Sequence, residues 1–133
     1  LAQHQLNSDP ELIIAGKYSF ESGVNGAKQL LAQTKTNVTA IVACNDEIAA
    51  GALFAARLLG IEVPQQLSIV GFEDSPFSRQ TWPKLSTVNQ PNIVIAQTAT
   101  ELLIKNLHKN YQSYAEVFIP EPVIRDSSAK VNR

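Results

Sequence analysis

Three short apolar runs, spaced by helical stretches, constrain this chain more than any other feature. They are "LIIA" at 12–15, "VTAIVAC" at 38–44 and "LSIVGF" at 67–72. Continuous rather than alternating apolar residues suit strands buried on both faces. Between the first two lies "ESGVNGAKQLLAQ", with Val24, Ala27, Leu30 and Leu31 at helical spacing. After the second run, Asn45-Asp46 offers an N-cap and Glu47 falls in the first turn of a helix predicted over 47–59. Gly60 suits the position just past its end, and Pro64 forbids its continuation. A β-α-β-α-β order of this kind predicts an α/β fold, a parallel sheet flanked by helices.

Past residue 80 the texture changes. "TWPKLSTVNQP" reads as extended, punctuated by Pro83 and Pro91. Pro91 can open a second long helix over about 92–109, carrying Ile95, Ala99, Leu102, Leu103 and Leu107. "AEVFIPEPVIRDSS" reads as one or two short strands broken by prolines. There is no internal repeat.

The predicted helix 47–59 is unusual. Only Glu47 and Arg57 are charged in it. If Ile48, Ala52, Ala55 and Leu59 face the sheet, then Ala50, Phe54 and Leu58 face outward and need a cover. A second subunit is the expected cover, and another part of the same chain is the alternative.

In open parallel sheets, ligands bind at the carboxyl ends of the strands. The first run ends in Lys17, Tyr18, Ser19 and Phe20, the second in Asn45 and Asp46, the third in Glu73 and Asp74. An aromatic ring, an amide and carboxylates on one rim suit a polyol, whose hydroxyls pair with the polar groups while a ring covers its C–H face. Gly71 allows close backbone approach, and Ser75-Pro76 turns the chain away. Plainer roles compete: Asp46 as a helix cap, Asp74 as a cap for the turn at 75–78, Glu73 as a solvated loop residue, Tyr18 as a core aromatic.

Other function classes find little support. With 11 basic and 12 acidic residues, net charge −1 and no basic cluster, this segment is not built to neutralise nucleic-acid phosphates. No phosphate-binding glycine motif or nucleophile elbow is present, and His4 and His108 have no neighbours at metal-ligand spacing. Catalytic residues, metal and cofactor are therefore all expected to be absent. Glu73 and Asp74, adjacent in an extended segment, point opposite ways and do not suit an acid–base pair. Cys44, the single cysteine, excludes an internal disulfide and reads as a small core residue. Asn37-Val38-Thr39 matches a glycosylation sequon, a pattern short enough to arise by chance. The apolar runs are too short to cross a membrane, and a cytoplasmic location is expected. The chain starts without Met or a signal-like segment, and is expected to be a piece of a longer protein.

"TAIVACNDEIAAGALFAARLLGIEVPQQLSIVGFEDSPFSRQTWPKLSTVNQP" resembles the sugar-sensing region of LacI/GalR-type bacterial transcription regulators, and "PEPVIRDSS" is similar to that family's closing segment. The resemblance implies the truncated C-terminal lobe of a two-lobed periplasmic-binding-protein-like fold. Residues 1–90 would form the incomplete lobe, 91–112 a crossover helix belonging to the N-terminal lobe, and 113–133 the returning strands and tail. The lobe's first strand and helix would be absent, exposing strand edges. Matched position by position, Tyr18, Asn45, Glu73 and Gln90 would contact a small effector: a sugar, sugar phosphate or nucleoside. Glu73 departs from the family's usual Asp. Ala50, Phe54, Leu58 and Trp82 would lie at a homodimer interface. Operator DNA would be bound by an N-terminal helix-turn-helix outside this chain. The alternatives are a periplasmic sugar-binding protein serving transport and an enzyme with a doubly wound fold.

Overall fold

A computed structural model of the chain describes residues 3, 9–32, 37–107 and 115–130. Strands β1 (Ala40–Val42) and β2 (Ser68–Val70) pair in parallel, with Ile41 opposite Ile69. Strands β3 (Thr87–Asn89) and β4 (Glu121–Val123) pair antiparallel. Single parallel bridges, Val70 with Ser86 and Glu73 with Asn89, place β3 beside the exit of β2. Helix α1 (Phe20–Ala32) precedes β1, α2 (Asp46–Leu58) joins β1 to β2, and α3 (Asn92–Asn106) follows β3.

The first apolar run forms no strand. Pro10–Leu12 is a 3₁₀ turn capped by Asp9, whose carboxylate accepts the Glu11 N–H at 2.9 Å. Residues 13–16 then run without a sheet partner among the described residues. The reason lies opposite them. Ser68 N–H donates to the Thr39 carbonyl and Ala43 N–H to that of Val70, so Thr39, Ile41 and Ala43 turn their backbone toward β2. Alternate residues Ala40, Val42 and Cys44 turn theirs away, toward a groove of ≈320 Å³ that separates β1 from residues 12–16. The expected trio of parallel strands is thus a pair, β1 and β2, with β3 bridged on.

The core lies between β1–β2 and the helices: Ile41, Leu67, Ile69 and Leu85 meet the small residues of α2. Asn45 caps α2, accepting the Ile48 N–H at 2.8 Å. Gly60, at φ +71°, ends it: Ile61 N–H reaches the Ala56 carbonyl and Gly60 N–H that of Arg57. Gly23 and Gly51 let α1 and α2 cross closely, since a Cβ at either would strike the other helix's backbone at Ile48 or Phe20.

The expected orientation of α2 is corrected by its burial. Ala50 does not face outward: it is 4% exposed, covered within the chain, while Leu59, expected inside, is exposed. Phe54 and Leu58 do lie at the surface, as does Trp82, which is 83% exposed. The buried arc of α2 is wide because α1 covers one flank and the turn at Pro76–Arg79 packs on another.

α3 has no fully buried residue, and Ile93, Leu103, Ile104 and Leu107 are exposed. The remainder of the predicted helix, to 112, lies partly outside the described residues, as do His4 and His108. No helix among the described residues is long and apolar enough to cross a membrane.

Candidate functional site

β1 and β2 run the same way, so the residues following them emerge at one rim. Asn45 and Glu73 line one groove there, of ≈280 Å³, together with Phe20, Glu47, Ser75 and Phe77. Two rings, an amide and two carboxylates share it. Glu47 also ties the helices together, accepting the Phe20 N–H at 3.1 Å. The Phe20 ring sits 5.7 Å from that of Phe54, so its position is set by α2.

Tyr18 is 74% exposed and lines the other groove, beside β1. Gln90 is half-buried beyond β3, its carbonyl accepting the Asn92 N–H at 2.7 Å, and does not line the rim groove. Phe20, two residues on from Tyr18, supplies the aromatic face instead. The sequence marked it only as one of four residues ending the first apolar run.

The loop bearing Glu73 is fixed by two buried carboxylates. Asp46 is fully buried and is not the cap of α2. Its carboxylate accepts Ser75 N–H at 2.7 Å, Ser75 Oγ–H at 3.0 Å and Thr87 Oγ1–H at 2.5 Å. Gly71 has no side chain because Asp46 and Leu85 occupy the space a Cβ would need. Glu73 and Asp74 follow with φ of +106° and +51°, the left-handed region that non-glycine residues seldom occupy. Glu73 N–H donates to the Val88 carbonyl at 2.9 Å and Asp74 N–H to Thr87 Oγ1 at 3.3 Å.

Asp74 does not cap the turn at 76–79, whose N-cap is Ser75. Its side chain is 7% exposed and accepts Arg125 Nη2–H at 2.5 Å, Arg79 Nη2–H at 2.8 Å and Ser78 Oγ–H at 3.1 Å. Burial alone would raise its pKa. Hydrogen bonds from Arg125 and Ser78, with the charges of Arg125 and Arg79, outweigh burial and hold the carboxyl below the usual carboxylate range. Arg125 was not singled out from the sequence, where it follows a short apolar run 51 positions from its partner.

Among the described residues no group of three or more His, Cys, Asp or Glu side chains is placed to hold a metal ion. The rim groove has the makings of a site for a neutral, hydroxyl-rich ligand. Rings cover C–H faces, and carboxylates accept hydroxyl protons.

The sheet, its flanking helices and the rim groove define an α/β fold. The model of the periplasmic binding protein-like domain family matches residues 1–128, and the chain belongs to that family. Its relatives are LacI-type transcription regulators. The ribose operon repressor of Haemophilus influenzae is 37% identical over 130 residues, covering 96% of this chain and 38% of that protein. A sugar-binding LacI-family regulator from Escherichia coli, solved with phosphate, superimposes with a TM-score of 0.85 at 35% identity, over 95% of this chain and 45% of that one. The regulator CelR in complex with cellobiose gives 0.89 at 25% identity, over 96% and 39%. The chain thus spans less than half the length of these relatives.

Proposed function

We propose that this chain is the effector-sensing and dimerisation region of a LacI-type transcription regulator. The effector is a neutral sugar or nucleoside held at the rim groove. The observation that carries this reading is the delivery of Asn45 and Glu73, from adjacent parallel strands, into one groove walled by Phe20 and Phe77. Glu47 and Glu73 are the ionisable groups among the described residues that line it, so a sugar phosphate would meet like charge there. The sugars named for two relatives, ribose and cellobiose, support the same class. Tyr18 and Gln90 stand apart from the groove and would reach the effector only on closure against a second lobe.

In the longer protein, effector binding would shift the lobes and so change the affinity of a separate DNA-binding head for its operator. The homodimer would bury Phe54, Leu58 and Trp82, all exposed here, and the protein would act in the cytoplasm. The test is calorimetry on the full-length protein with D-ribose and cellobiose. Glu73→Ala is expected to weaken binding about tenfold, the worth of one lost charge-assisted hydrogen bond. Unchanged affinity would remove Glu73 from the site.

A further inference from the structure

We propose that Arg125 is a positioning residue for the effector groove: its grip on Asp74 keeps the Glu73–Asp74 backbone left-handed, and so keeps Glu73 in the groove wall. The inference rests on the effector reading above and adds a residue that does not line the groove.

Two consecutive non-glycine residues at positive φ form the starting point. Such a residue persists only where its surroundings over-determine it. The bonds from Glu73 N–H to Val88 and from Asp74 N–H to Thr87 pin the amides, at 2.9 and 3.3 Å. They leave the Asp74 side chain free to choose, and Arg125 removes that choice. One guanidinium nitrogen takes Asp74 at 2.5 Å. The other donates to the Leu85 carbonyl at 2.8 Å and to Ser78 Oγ at 3.0 Å. Its own backbone N–H donates to Ser86 Oγ at 2.8 Å, and its side chain is 14% exposed. Arg79 reaches the same carboxylate with a side chain 58% exposed, so it is the weaker partner.

Arg125 also sits where coupling would matter. It follows β4, whose Glu121 pairs with Asn89 of β3, and Asn89 is bridged to Glu73. β3 leads into α3, a helix with no buried residue of its own. A displacement of α3 that slid β4 along β3 would therefore pull on Asp74 through Arg125 and move Glu73.

The experiment is done on the full-length protein with Arg125→Ala, and with Arg125→Lys in case the first variant does not fold. Lysine keeps the charge but cannot satisfy Asp74, Ser78 and Leu85 at once. Two quantities are read: amide exchange at Glu73 and Asp74, and calorimetric affinity for D-ribose and cellobiose. Arg125→Ala is expected to speed exchange at those two amides about tenfold while α2 amides hold, and to weaken sugar binding about tenfold. Arg125→Lys is expected to fall between wild type and Arg125→Ala in both. Unchanged exchange in both variants overturns the inference. Faster exchange with undiminished affinity shows that the loop is held by Arg125 but that Glu73 is no part of the binding site, which overturns the positioning role and leaves the effector reading without Glu73. A wild-type protein that binds neither sugar removes the sugar assignment, while the exchange measurement still decides whether Arg125 holds the loop.

Discussion

Replacing Asp46 should be the most damaging single change at the rim. Its side chain sits in the first turn of α2, fully buried, and accepts three hydrogen bonds from Ser75 and Thr87. Asp46→Ala leaves the Ser75 N–H and two hydroxyls facing a void. The hydroxyls can turn elsewhere but the amide cannot. Charge-assisted bonds contribute about 1.5–3 kcal/mol each and a stranded buried donor costs about 1–3, so a loss of about 3–5 kcal/mol follows once partial relaxation is allowed. Asp46→Asn keeps the shape. Its carbonyl can take the Ser75 bonds while its amide donates to Thr87 Oγ1, so the charge and the acceptor of the Thr87 hydroxyl are lost, about 1–2 kcal/mol. With a urea slope of about 2 kcal/mol per molar, the midpoint should fall by about 1.5–2.5 M for Ala and about 0.5–1 M for Asn. Thr87→Val, nearly equal in volume, removes one donor to Asp46 and the acceptor of Asp74 N–H, and should lie close to the Asn variant. The assay is equilibrium urea unfolding of the full-length protein at neutral pH. An Ala variant no worse than the Asn variant would show that the three bonds do not hold the loop.

Other outcomes follow from the same geometry. Because the Asp74 pKa is depressed, the stability it contributes is complete above its unfolded value of about 3.9 and is lost as pH falls through the lower folded value. Unfolding followed from pH 6 to pH 2 should show an acid limb that Asp74→Asn flattens, at the expense of lower stability at neutral pH. Gly51→Ala should destabilise by about 1–3 kcal/mol despite alanine's better helix propensity, since the added methyl meets the Phe20 carbonyl; thermal unfolding reads this. On the proposed homodimer, Phe54→Lys with Leu58→Lys should shift the full-length protein from dimer to monomer in sedimentation, and an unaltered dimer would place the interface elsewhere.

The parts legible in the sequence were those with local signatures. Asn45 and Gly60 bracket α2 because caps and C′ positions demand those residue types within a turn of the helix end. β2 follows from its β-branched core, and its carboxylates at the rim follow from strand direction. The strand expected at 12–15 fails for a reason that no local pattern carries. An apolar run signals a wish to be buried, but a strand also needs a neighbour, and the backbone of β1 opposite it stands off across a groove. The Arg125–Asp74 pair was invisible because a contact between distant residues leaves no mark at either. The burial of Ala50 escapes helical periodicity because α1 and the turn at Pro76–Arg79 both pack on α2 and widen its buried arc.

The outward edge of β1 sets terms for anyone handling this segment by itself. Val42 is 82% exposed, and among the described residues the outward amides and carbonyls of Ala40, Val42 and Cys44 have no strand partner. Concentrated solutions would offer those groups the edge of another molecule, and self-association would set in long before the fold melted. A lysine in place of Val42 is the simplest guard, because stacked chains would then have to bring like charges together.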